Sequence, residues 1–116
     1  MHYILVLAGD LAAVKFLEDM SRDEVRAYFI REGLEPGTTD DLLSCRECMT
    51  TDEWPFYPMV ALASSVRMRG ERCVSIIPLR GGDPYRILVA PSEGLKISET
   101  GIRCWEKGTW FVCKKA

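Results

Sequence analysis

The sequence predicts an α+β fold: an N-terminal strand, about four helices, then a mostly antiparallel sheet of four to five strands ending in a hairpin. Three observations predict it. An uncharged apolar run, Tyr3 to Ala8, opens the chain. Helix-cap signals then recur ahead of segments with helical spacing as far as Gly70. Beyond Gly70 the apolar spacing changes to period two, punctuated by Gly and Pro turns. With 116 residues and no repeat, linker or low-complexity segment, residues 1–116 form one domain large enough for a single core.

Taken in order, Tyr3 to Ala8 is continuously apolar and reads as a strand buried on both faces. Gly9-Asp10 ends it, and Asp10 is placed to cap a helix over Leu11 to Asp19. Ser21-Arg22-Asp23-Glu24 is a capping box, in which the Ser and Glu side chains each satisfy the other's backbone amide. The helix it opens runs to Glu32 with Val25, Tyr28 and Phe29 facing inward, and Gly33 stops it. Thr38 to Asp41 opens a third helix, acidic in its first turn, that reaches about Cys48. Met59, Leu62, Ala63 and Val66 keep the i, i+3, i+4, i+7 spacing, so Pro58 to Arg69 is the fourth helix, closed by Gly70.

Strands are expected over Arg72 to Leu79, Tyr85 to Ala90 and Leu95 to Ser98. The last two, Ile102 to Trp105 and Thr109 to Lys114, form a terminal hairpin around Glu106-Lys107-Gly108. In that hairpin Trp105 lies opposite Trp110, Cys104 opposite Phe111, and Ile102 opposite Cys113.

No segment approaches the roughly 20 apolar residues that span a bilayer, and the N-terminus lacks the pattern of a signal peptide. The reading is a cytoplasmic protein with no membrane partner. The net charge of −2 hides an asymmetry: residues 1–56 carry 5 Lys/Arg against 12 Asp/Glu, and residues 57–116 carry 10 against 5. Such a field suits an oriented protein complex, or simply reflects acids in helix first turns.

Five cysteines without a regular framework argue for free thiols or a metal site in a reducing compartment. Cys45 and Cys48, at i and i+3, share a helical face and have half the spacing of a zinc knuckle. Cys104 and Cys113 would complete the set from the hairpin. A second C-x-x-C is lacking, however, and the hairpin face bearing these cysteines is uniformly apolar. Redox chemistry is disfavoured because Cys45 and Cys48 stand near a helix C-terminus, with Glu47 alongside, which raises a thiol pKa. The assignment is therefore core packing, without metal or cofactor, and zinc on Cys45, Cys48, Cys104 and Cys113 is the alternative.

The sole histidine is His2, which leaves no Ser–His–Asp or Cys–His arrangement to build. The candidate partner-binding residues are Arg103, Trp105, Lys107 and Trp110 on the hairpin, with Trp54, Phe56 and Tyr57 in the Pro-rich connector Asp52 to Pro58. The functional expectation is a small non-catalytic protein-binding module, of the inhibitor, adaptor or immunity type that phages and mobile elements encode, as monomer or homodimer. A zinc module associated with nucleic acid and an enzyme with an unrecognised site are the alternatives. The pI near 5.4 places nucleic acid second to protein as a partner.

Overall fold

The computed structural model of the chain describes residues 2–48, 58–77 and 87–116. Its elements are β1 (Tyr3–Ala8), β2 (Leu11–Phe16), α1 (Arg22–Arg31), β3 (Leu34–Pro36), α2 (Thr39–Cys48), β4 (Met59–Met68), β5 (Glu71–Ile77), β6 (Leu88–Pro91), β7 (Lys96–Ile97), β8 (Arg103–Cys104) and β9 (Trp110–Lys115). Seven strands make one sheet in the order β1-β2-β9-β4-β5-β6, with β3 also paired to β9, while β7 and β8 form a separate two-stranded ribbon. Every pairing is antiparallel except β4 with β9. The α+β class fits only in part, and the expectation of four helices and a four- to five-stranded sheet is corrected. Among the described residues there are two helices and a larger, mixed sheet.

Two of the expected helices are strands, and turn geometry explains both. Ala8 pairs with Leu11, so Gly9-Asp10 is a two-residue hairpin loop rather than a helix start. Gly9 takes φ +63° and Asp10 keeps φ negative, the sign pattern of a type II′ turn, which matches the right-handed twist of the flanking strands. Likewise Arg69 and Gly70 both have positive φ, 53° and 79°, as a type I′ turn requires. That turn joins β4 to β5, so Gly70 closes a hairpin and not a helix. Met59 to Leu62 are all buried because β4 lies between β9 and β5, with packed layers on both faces. Complete burial on a central strand mimics helical spacing in a short window.

The two remaining helices form where their caps specify. Ser21 N–H donates to Glu24 Oε1 at 3.0 Å, and Glu24 N–H donates to Ser21 Oγ at 3.1 Å. Gly33, at φ +66°, follows the C-cap residue Glu32. At α2 the same reciprocal box is built from Thr38 and Asp41, with bonds of 2.9 and 3.1 Å. Between β3 and α2 the chain passes so close to β9 that Gly37 N–H donates to Val112 O at 2.8 Å. A Cβ on Gly37 would sit 2.7 Å from Val112 Cγ1 and 3.0 Å from Val112 O, so a side chain is excluded there.

The sheet divides the core into two layers. On one face α1 supplies Val25, Tyr28 and Phe29 to Val14, Phe16, Val60, Ile76 and Phe111. Tyr28 meets Phe16 edge-on, with ring centroids 5.0 Å apart at 90°. On the other face α2 supplies Leu42 and Cys45 to Ala13, Met59, Ile77, Trp110 and Val112. Consecutive residues of β9 therefore feed opposite cores, as the pleat demands.

The terminal hairpin does not form, which corrects the last expected element. β8 pairs with β7, and β9 pairs with β2, β3 and β4. Residues 105–109 cross between the two sheets. Trp105 exchanges backbone hydrogen bonds of 2.7 and 2.9 Å with Met20, and Gly108 N–H donates to Phe16 O at 2.9 Å. Lys107 N–H donates to Asp19 Oδ1 at 2.9 Å. A turn does form at residues 106–109, where Thr109 N–H donates to Glu106 O at 3.2 Å, but these anchors lead its two arms into different sheets. The expected strand starts and ends at residues 78–79 and 85–86 lie outside the described residues.

Candidate functional site

The residues singled out from sequence are dispersed by this topology. Trp105 packs into the α1-side core, 1% exposed, and meets Phe111 edge-on at 5.9 Å. Trp110 packs into the α2-side core at 6% exposure, with the Lys15 ammonium 5.1 Å from its ring. The two indoles thus lie in different layers rather than side by side. Arg103 is exposed and donates to Glu71 Oε1 at 2.8 Å. Lys107 is exposed as well. Trp54, Phe56 and Tyr57 lie outside the described residues.

The cysteines are divided among different layers too. Cys45 belongs to the α2-side core, Cys113 to the α1-side core, and Cys104 to the β7–β8 ribbon. The side chain of Cys48 lies outside those described. Among the described residues no three His, Cys, Asp or Glu side chains come together as a metal-binding group. Cys113 Sγ lies 3.7 Å from Ala12 O, and burial, with Cys45 nearby, pushes its thiol up to about 12. A thiol held neutral this firmly behaves as a small apolar residue.

A different surface stands out once the sheet is assembled. Among the described residues, β1 is the first strand in the sheet order and pairs with β2 on one side only. Its run YILVLA carries no charge, yet Tyr3, Ile4 and Leu5 are 41–42% exposed and Leu7 is 75% exposed. Sequence reading placed this strand in a doubly covered position; it is an edge. Leu17 N–H donates to His2 O at 3.0 Å, which marks that pair as a hydrogen-bonded one. Alternation along the ladder then turns the backbone groups of Tyr3, Leu5 and Leu7 outward.

The opposite edge contrasts with it. β6 is four residues long and ends on Pro91, two devices that blunt a sheet edge. β1 has neither proline, charge nor bulge, and it is backed by β2, whose Ala12, Ala13, Val14 and Phe16 are buried. Tyr3 is fixed by its ring contact with Tyr28, 4.9 Å between centroids, which ties the strand's start to α1. The sequence carried a signal for the hairpin, though not for its place at the edge: an apolar run joined by a two-residue Gly-Asp loop to a second apolar run.

Comparison of the chain with protein-family models, with curated proteins and with solved structures gives no match. No helix of the described residues is long and apolar enough to cross a membrane.

Proposed function

We propose that this is a non-catalytic protein-binding module that takes an extended segment of another polypeptide as an added strand along β1. The observation that carries the reading is the unguarded edge itself: six uncharged residues whose outward N–H and C=O groups are a template for pairing. Main-chain hydrogen bonds supply affinity in such a complex, and the exposed Ile4 and Leu7 supply side-chain contact on the two faces. The internal ion pairs support a rigid platform. Lys96 reaches Asp19 at 2.8 Å, and Lys114 reaches Asp41 at 3.0 Å, so acids from the first half of the chain meet bases from the second within the fold.

The test uses two edge variants. Leu5→Pro removes an outward amide without breaking the β1–β2 ladder, because proline is tolerated where the N–H faces away from the sheet. Leu7→Lys places a charge on the most exposed position of the strand. Both are expected to keep the wild-type melting temperature within a few degrees and to abolish binding of whichever protein the wild-type chain captures stoichiometrically. A partner that binds both variants as tightly as wild type sinks the reading.

A further inference from the structure

A second feature lies away from β1, where the N-terminal end of α1 meets the β4–β5 hairpin. The register of that hairpin shifts between Ala61 and Ser65, so residues 62–64 bulge out of the ladder. The bulge is held by Ala63 N–H donating to Gly37 O at 2.9 Å and by Thr39 N–H donating to Ser64 Oγ at 2.8 Å. It leaves a polar depression of about 40 Å³ lined by Arg22, Arg26, Ser65, Arg72 and Ser92 over a floor of Leu62 and Val74. Arg22 and Arg26 stand one turn apart on α1 and so present to the same side. Arg72 faces the same layer as Val74, and it lies directly opposite Arg67 across the hairpin.

The guanidinium groups here are under-compensated. Arg22 pairs with Glu93 at 3.0 Å and more loosely with Asp23 at 3.6 Å. Its Nε is nonetheless buried with no hydrogen-bond partner. Arg26 and Arg72 have no ion pair among the described residues, and Arg67 donates only to Gly70 O, at 3.2 Å. Ser92 is 3% exposed, lines the depression, and its hydroxyl bonds to no described residue. Its backbone N–H, at 2.9 Å from Arg72 O, fixes it beside that arginine. An orphaned donor in a protein interior, and like charges set opposite each other on a hairpin, both cost free energy unless something answers them.

From this cluster we infer a phosphate-binding site formed by Arg22, Arg26, Arg72 and Ser92. The polar side chains lining the depression offer N–H and O–H donors, which suits an acceptor-rich group. Three arginines against two carboxylates, both held by Arg22, favour a dianion over a carboxylate. The depression is small and open, so an oxyanion rests on its polar lining with the remainder of any ligand outside it. The ligand is accordingly inorganic phosphate or the phosphate of a small monoester. This site is independent of the strand-addition reading and stands or falls without it.

The experiment follows the arginine Nε–Hε signals of the labelled full-length chain by NMR while sodium phosphate is added. Sodium chloride and sodium acetate at equal ionic strength are the comparisons, and O-phosphoserine is the ester arm. A saturable shift of the Arg22 Nε–Hε signal with phosphate, weakened about tenfold in both Arg26→Gln and Arg72→Gln and unchanged in Arg31→Gln, is expected. Tighter binding of O-phosphoserine assigns the monoester as ligand, and tighter binding of inorganic phosphate assigns the free ion. Shifts that do not saturate, that chloride or acetate reproduces, or that survive Arg72→Gln intact overturn the site.

Discussion

Trp105 shows how much a single side chain can carry in this fold. Its indole is 1% exposed beneath α1, but its Nε1 is buried without a hydrogen-bond partner. The ring therefore stabilises by area and contact alone, while the N–H subtracts. Trp105→Phe removes the unsatisfied donor together with some area, and the two effects oppose. Its expected cost is within about 1 kcal/mol. Trp105→Ala leaves a cavity and should cost about 3–5 kcal/mol, read from urea unfolding of both variants. Asp41 makes the corresponding case for charge. Burial pushes its carboxyl up, but the Thr38 backbone N–H, the Lys114 ammonium and the Thr38 hydroxyl together hold it below the usual value. A depressed folded-state pKa contributes stability that is complete above the ordinary carboxylate range, near pH 4, and is lost as pH falls through the folded value. Asp41→Asn should thus melt below wild type at pH 6, and the gap should narrow as pH falls through the folded value, as thermal melts across the acid range will show.

At the scale of elements, turns decided what periodicity could not. The capping box at Ser21 and the acidic helix start at Thr38 were legible because cap chemistry is local, and the structure adds a second reciprocal box between Thr38 and Asp41. The Leu11–Phe16 and Met59–Met68 strands were misread because their burial comes from neighbours distant in sequence. Eight of their apolar residues face packed layers on the two sides of the sheet, and that continuous burial satisfies a helical template as readily as a strand. The β4–β5 turn offers a direct check. Arg69 sits at φ 53°, a left-handed conformation that costs a residue with a Cβ roughly 1 kcal/mol. Arg69→Asn creates an Asn-Gly pair suited to a type I′ turn and should raise stability by about 0.5–1 kcal/mol. A lower melting temperature in that variant would refute the turn assignment.

For the whole molecule, the order of the sheet sets the order of stability. β9 is paired on both sides, to β2 and to β3 and β4, and its Phe111, Val112 and Cys113 are at most 1% exposed. Its amides should exchange with solvent only through global unfolding, whereas the outward amides of Tyr3, Leu5 and Leu7 should exchange fastest of any strand in the large sheet. Native-state hydrogen exchange resolves this, and strong protection of the three β1 amides in the free monomer would mean that the edge is already covered. The charge asymmetry between the halves of the chain belongs to this scale as well. Part of it is consumed by contacts such as Lys114 with Asp41 and Lys96 with Asp19, which close the two halves onto each other.

The sequence by itself determined the mixing of helix and strand, the two helices that open on cap residues, the strand at Tyr3–Ala8 and the apolar character of Cys45 and Cys113. Each of these follows from chemistry within a few residues, or from hydrophobicity alone. Only the tertiary structure decided that Tyr3–Ala8 is an edge, that Trp105 and Trp110 feed opposite cores, and that Arg22, Arg26 and Arg72 converge on one depression. Those facts depend on which strand pairs with which. Pairing is a contest among distant segments, won by the summed burial of two faces, and no local pattern in the chain encodes the winner.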